Sequence, residues 1–255
     1  MPKHFGQHLR EWREHRRKSQ LAFALDAEIS TKHLSFLETG RSAPSREMVL
    51  RLARILEVPL RARNALLHAA GFAPAFKERS LDDPSLAAAK RAVELVLRGH
   101  EPYPALAIDR HWQMVAHNAA LPPLLAGVAP ALLVPPVNVL VVSLHPDGLA
   151  PRIRNLAAWR AHLLERLAHQ IEASADPALE ALRNRLLDLP APPEAGEVSS
   201  DIVVPLELET DAGVLSLLST TSVFGTPVDV TLSEIALECF FPADERTAAL
   251  LSSPR

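Results

Sequence analysis

The sequence predicts two domains: an all-α unit of five short helices, then a larger α+β unit with an antiparallel sheet. Three observations predict this. Five apolar-periodic segments, separated by capping and breaking residues, fill the chain up to Gly71. Strand-like runs bounded by turn residues appear only after Tyr103. Charge is also split. Residues 1–80 hold 15 Lys and Arg against 8 Asp and Glu, a net of +7, and residues 81–255 hold 12 against 22, a net of −10. A chain of 255 residues is long for one ordinary domain and comfortable for two.

Composition removes several function classes. Apolar residues make up 48% and charged residues 22%, a globular balance. The longest apolar run, Ala129 to Leu144, is broken by Pro130, Pro135 and Pro136, so no membrane span is expected. The N-terminal stretch has no apolar core, so no secretory signal is expected, and a cytoplasmic location follows. A single cysteine, Cys239, excludes an internal disulfide framework and any multi-thiolate metal site. Set in an apolar strand, it is expected to be buried and inert. No two of the nine glycines lie within ten residues of each other. Dinucleotide and phosphate loops and the G-x-S-x-G nucleophile elbow are thereby excluded. His162 and Glu165 stand at i, i+3, as in carboxylate-bridged metal bundles, but no matching second pair exists. The chain reads as a non-enzyme with no cofactor and no metal.

In the basic unit, Phe5 to Arg17 places Phe5, Leu9 and Trp12 on one helical face and Arg10, Arg13, Arg16 and Arg17 on the other. Ser19 caps a second helix, Gln20 to Ala27, with Leu21, Ala24 and Leu25 available for the core. Ser30 caps a third, Thr31 to Glu38, with Leu34 and Leu37 inward and Gly40 as its C-terminal stop. Pro44 and Ser45 open a fourth, carrying Met48, Leu52, Ile55 and Leu56. After Pro59 a fifth runs to Ala70 and ends at Gly71. The basic excess suits a polyanionic partner.

The string SQLAFALDAEISTKHLSFLETGRSAPSREMVLRLARILEVPLRARNALLHAAGF resembles the XRE (lambda/434 repressor-like) helix-turn-helix family over residues 5–72. Ser19-Gln20, Ala24, Ser30, Leu34, Leu37-Glu38, Gly40-Arg41 and Pro44-Ser45 fall at that family's spacing. The resemblance implies double-stranded DNA as partner. Gln20, opening helix two, would contact phosphate and a base edge. Ser30 caps the recognition helix, on whose groove face Thr31, Lys32 and Phe36 would lie. Lys32 would bond guanine or only phosphate, and Phe36 would touch a thymine methyl or pack inward. Arg41 would hold the backbone, and Ser35 and His33 would reach phosphate. The turn before helix three, usually Gly or Asn, holds Glu28. That implies either a left-handed Glu at a cost of about 1 kcal/mol or a turn of another shape. A two-fold DNA site implies a homodimer.

Residues 73–85 read as a polar, proline-punctuated connection to a second domain at 86–255. Leu86 to Arg98 is helical by pattern. Ala105–Asp109 and Trp112–His117 read as strands around Asp109-Arg110-His111. Asn118 to Ala126 is a short helix curtailed by Pro122 and Pro123. Val137 to Leu144 is a buried strand or a helix segment, and His145 to Gly148 a turn. Leu149 to Ala173 reads as one long helix with Ile153, Leu156, Trp159, Leu163, Leu167 and Ile171 in a stripe. Asp176 and Pro177 open another helix to Leu189, and residues 190–200 form a loop. Ile202–Glu209, Val214–Thr221 and Ile235–Phe241 read as strands, with Thr210 to Gly213 as a hairpin turn.

Two strands, helices, then three antiparallel strands is the order of a PAS-like sheet. The stretches PALAIDRHWQMVAHNAALPPLL, NVLVVSLHPDGLAPRIRNLAAWRAHLLERL and DVTLSEIALECFFPADERTAALL resemble the MmyB-like ligand-binding domain over about 86–250. The resemblance implies an apolar cavity and, for some members, a bound fatty acid. The polar candidates near such a cavity are His117, Asn118, His145, Arg152, Arg154 and the indoles of Trp112 and Trp159. Arg152 or Arg154 would pair with a carboxylate or stand as solvated helix charges. The two indoles would be ligand wall or core. The expected function is a DNA-binding transcriptional regulator, by default a repressor, sensing a small apolar or amphipathic ligand. The alternative is a protein-interaction regulator of the antitoxin or developmental-switch type, whose second domain grips a protein.

Overall fold

The computed structural model describes residues 4–190, 203–224 and 229–252. The chain divides into two compact units, one built mainly on the residues up to Arg79, the other beginning at Ser80. The 190–200 loop and the start of the strand expected from Ile202 lie, apart from Pro190, outside the described residues.

The first unit holds helices α1 (Phe5–His15), α2 (Gln20–Asp26), α3 (Thr31–Glu38), α4 (Arg46–Ile55) and α5 (Leu60–Ala69). Ser19, Ser30 and Ser45 each accept a hydrogen bond through Oγ from the N–H three residues on, as the sequence predicts for N-caps. All five helices end alike, with a left-handed residue followed by an N–H that closes back onto the helix. Arg17 (φ 53°), Glu28 (51°), Gly40 (73°), Glu57 (50°) and Gly71 (83°) hold the left-handed position. The closing bonds run from Lys18 to Arg13, Ile29 to Ala24, Arg41 to Phe36, Val58 to Ala53 and Phe72 to Leu67. Glu28 thus keeps the turn shape that glycine would give, and the closing bond offsets its cost of about 1 kcal/mol.

Leu9, Phe23, Leu34, Leu37, Leu52 and Leu67 form the centre of the core, none of them exposed. Helix α2 is rotated from its expected setting: Phe23 and Ala24 are buried, whereas Leu21 and Leu25 are 70% and 76% exposed. The large Phe23 takes the inward position, and with a 100° turn per residue the two leucines then face outward. Gly6 lets α1 approach the end of α3, since a Cβ there would lie 2.3 Å from the Leu37 carbonyl oxygen.

A buried carboxylate ties three helices. Glu38 accepts from Arg13 Nε at 2.6 Å and Nη2 at 3.0 Å, and from Gln20 Nε2 at 2.7 Å. Arg13 also donates to the Lys18 carbonyl. The bonded carboxylate raises the Arg13 pKa above its already high value. After α5 the chain is held rather than free: Asn64 Oδ1 accepts from the N–H groups of Ala75 and Phe76, and its Nδ2 donates to the Phe76 carbonyl.

The second unit is α+β. Its strands are β1 (Ala105–Ile108), β2 (Met114–His117), β3 (Leu206–Thr210), β4 (Gly213–Val223) and β5 (Ala236–Pro242). They form one antiparallel sheet in the order β2-β1-β5-β4-β3, with the last strand in the centre. The first half of β4 pairs with β3 and the second half with β5. Helices α6 (Ala87–Gly99), α7 (Val139–Leu144), α8 (Leu156–Ser174), α9 (Pro177–Leu187) and α11 (Glu245–Ser252) complete the unit. A one-turn α10 (Val230–Ser233) belongs with the first. Val137 to Leu144 resolves as a bridge at Asn138 followed by helix, because Asn138 caps α7 through Oδ1 to Val141 N. The long helix begins at Leu156 rather than Leu149. A short 3-10 turn, Ala150–Arg152, with Pro151 near its start, occupies the expected first turn, and Ile153 instead bridges to Leu208 on β3.

Removing one partner of a buried pair strands the other charge. Glu38→Ala is expected to lower the stability of the first unit by about 3 kcal/mol. The shift of its urea midpoint measures this, and Glu38→Gln should cost less because it keeps an acceptor for Arg13.

Candidate ligand cavity and nucleic-acid surface

On the first unit, α3 and the loop after it present a compact cationic cluster. Thr31, Lys32 and Arg41 are exposed, and Ser35 and Phe36 are half-buried. Lys32 Nζ lies 5.7 Å and the Arg41 guanidinium 5.9 Å from the Phe36 ring centroid. Lys32 reaches the ring from one turn earlier. Arg41 reaches it because the helix-ending bond from Arg41 N to Phe36 O, 2.8 Å, folds the chain back over α3. The half-buried ring thus serves as packing for two cations. Ser30 Oγ is engaged in its cap, and Gln20 Nε2 is engaged with Glu38.

On the second unit, strand register brings one face of the sheet together. Leu106 lies opposite Glu238, Thr221 opposite Glu238, Ser219 opposite Phe240 and Leu206 opposite Leu217. Six of these seven residues, all but Thr221, line a cavity, which α8 walls with Trp159, Leu163 and Arg166 at i, i+4, i+7. Leu140 and Ser143 of α7 and Trp112 of the β1–β2 turn close it. The space open to the centre of a water-sized sphere is about 100 Å³. This is well above the ~10–15 Å³ that one water needs, so the cavity admits several water-sized groups. Nearly all of the wall is hydrocarbon.

The polar atoms at its edge are tightly organised. Trp159 Nε1 donates to Ser143 Oγ at 3.0 Å. Trp112 Nε1 donates to Gln170 Oε1 at 2.6 Å, and Gln170 Nε2 donates to the Arg110 carbonyl. Trp112 itself sits at φ 63°, a costly backbone for a bulky residue, within a turn that Asp109 stabilises by accepting from His111 N and Gln113 N. Arg166 lies over the Trp112 ring at 4.9 Å. Its Nη1 and Nη2 donate to the two oxygens of Glu238 at 3.2 and 2.5 Å, and Nη2 also to Thr221 Oγ1. Burial pushes the Cys239 thiol pKa up, and neighbouring Glu238 adds to the shift, so the thiolate is disfavoured. Burial, then the Arg166 charge, holds His162 below its usual range. Among the described residues, no three His, Cys, Asp or Glu side chains are grouped to hold a metal ion.

Of the expected ligand residues, the structure brings together Trp112 and Trp159 and places the others elsewhere. Asn118 is buried, but its Oδ1 accepts from Ala105 N and its Nδ2 donates to the Leu97 and Tyr103 carbonyls, which fixes β1 against the end of α6. His117 points out of β2 onto the Asn118 carbonyl. His145 accepts from Asp147 N within its turn. Arg152 braces the Leu124 carbonyl at 2.6 Å, and Arg154 faces Glu209 at the surface. The residues not singled out are Arg166 and Glu238. Extending the Trp159–Leu163 stripe by three residues reaches Arg166, and Glu238 is the one acid in the apolar strand Ile235 to Phe241.

Residues 4–66 match a helix-turn-helix domain model, and residues 89–253 match the MmyB-like transcription regulator ligand binding domain. No curated protein matches the chain. Neither family is one of enzymes, and no described helix is long and apolar enough to cross a membrane. A helix-turn-helix unit with a cationic α3 surface, and a second matched unit covering more than half the chain around an apolar cavity, place this protein in the MmyB-like family of DNA-binding transcription regulators.

Proposed function

We propose that this protein is a cytoplasmic, homodimeric regulator, acting by default as a repressor, whose DNA affinity is set by a small apolar or amphipathic molecule held in the second unit. Residues 1–72 form the DNA-binding domain, 73–85 the connection and 86–255 the sensor. The observation that supports this best is the hydrocarbon-walled cavity with a few fixed polar groups at its edge, the usual form of a small-molecule site. Its hydrocarbon wall suits an apolar chain of the kind found in fatty acids. It favours a small molecule over the protein partner of the antitoxin-type reading, and no catalytic role is assigned.

Thr31, Lys32 and Phe36 face the groove in this reading, Arg41 holds phosphate, and Ser35 lies at the backbone edge. Ser30 acts as the cap that aims α3. Gln20 contributes by anchoring Glu38, and the second N–H of its Nε2 donates to phosphate. Regulation is a coupling free energy: a ligand that binds one dimer geometry better shifts the half-site spacing and with it the DNA affinity.

Two outcomes test this. Lys32→Ala and Arg41→Ala should each weaken binding to a duplex selected by the wild-type protein and lower the salt slope by about one. Fluorescence anisotropy across a salt series measures both, and an unchanged slope removes the assignment. Ser219→Phe places a ring in the cavity. It should abolish ligand response and leave the DNA affinity of the ligand-free protein unchanged within about twofold. A retained response would put the ligand elsewhere.

A further inference from the structure

We infer that the cavity selects an uncharged amphipathic molecule, with an apolar chain and a hydroxyl- or carbonyl-type head, over a carboxylate of the same length. This deepens the reading of the cavity as a ligand site and rests on it.

The inference comes from the charged residues in the wall. Among the described lining residues these are Arg166 and Glu238, and they neutralise each other. A ligand carboxylate needs a free cation, yet both terminal nitrogens of Arg166 are already engaged by Glu238, Nη2 also by Thr221. Its guanidinium plane is seated over Trp112. Glu238 cannot withdraw. It lies on the central strand, its side chain is 5% exposed, and the Thr221 hydroxyl donates to its Oε1 at 2.8 Å. A second carboxylate at Arg166 would therefore stand beside Glu238 in a low-dielectric wall, where like charges disfavour ionisation of both. An alcohol or carbonyl head brings no charge. It can accept from the guanidinium edge or donate to Glu238, and it leaves the pair intact. Ser219, two residues from Thr221 on the same face, offers a further neutral partner.

Isothermal titration of the full chain with octan-1-ol and with sodium octanoate tests the inference. Octan-1-ol is expected to bind at least about tenfold more tightly at neutral pH. In Glu238→Gln, which keeps the size and an acceptor but removes the anion, octanoate should gain about tenfold and the preference should narrow or reverse. Octanoate binding as tightly as octan-1-ol to the wild type overturns the inference and leaves the cavity reading standing. A preference for octan-1-ol that persists unchanged in a folded Glu238→Gln removes Glu238 as its cause and also overturns it. If neither binds, the cavity reading itself fails. The wild-type comparison stands whether or not the variant folds.

Discussion

Glu238 carries a carboxylate into the middle of the sheet face, and Arg166 descends from α8 to meet it. Burying an ion costs several kcal/mol unless it is paired and its remaining hydrogen-bonding atoms are satisfied. Here Thr221 completes the pairing, and Trp112 takes the face of the guanidinium. The position of α8 over the sheet follows from that requirement, because only one helical register brings Arg166 to Glu238. That register also sets Trp159 and Leu163 against the sheet leucines and Gln170 against Trp112. The strained backbone of Trp112 is held by the same network. The cavity is thus the space left between a sheet face and a helix whose separation is fixed by an ion pair.

The first unit depends on a similar device in a smaller volume. Glu38 closes α3 and collects donors from α1 and α2, so the orientation of α3 is set from three sides. Each helix ends by the same left-handed closure, which turns the chain sharply and lets five helices fit within 65 residues. One of those closures delivers Arg41 to the Phe36 ring. The chemistry of the α3 surface is therefore a consequence of how α3 ends, as much as of which residues lie along it.

The sequence displayed what depends on local physics. Serine caps, glycine stops, the hairpin turn at Thr210 to Gly213 and the five strands were readable, because each is decided within a few residues, whereas α10 and α11 were not foreseen and Val137 to Leu144 stayed open between strand and helix. The setting of α2 was not: Leu21 and Leu25 are as apolar as the residues that are buried, and the competition is won by Phe23 through the size of the core it fills. The start of α8 was displaced because Ile153 found a strand partner 55 residues away. The cavity's aromatic wall was legible as Trp112 and Trp159. Its ion pair was not, since Arg166 and Glu238 are 72 residues apart and only the packing of α8 on the sheet joins them. His117, Asn118, His145 and Arg152 have the right chemistry for a ligand, but turns and backbone carbonyls nearer in the chain claim their polar atoms first.

The central claim is that the second unit holds a small molecule and that the protein works as a dimer. Native mass spectrometry of freshly purified protein, set against its denatured mass, tests it most directly. The account predicts twice the chain mass of 27.8 kDa, with an added mass on the order of a hundred daltons or more per chain that is lost on denaturing. A clean ligand-free mass with a protein bound in stoichiometric amount would contradict it, and would make the second unit a grip for that protein instead.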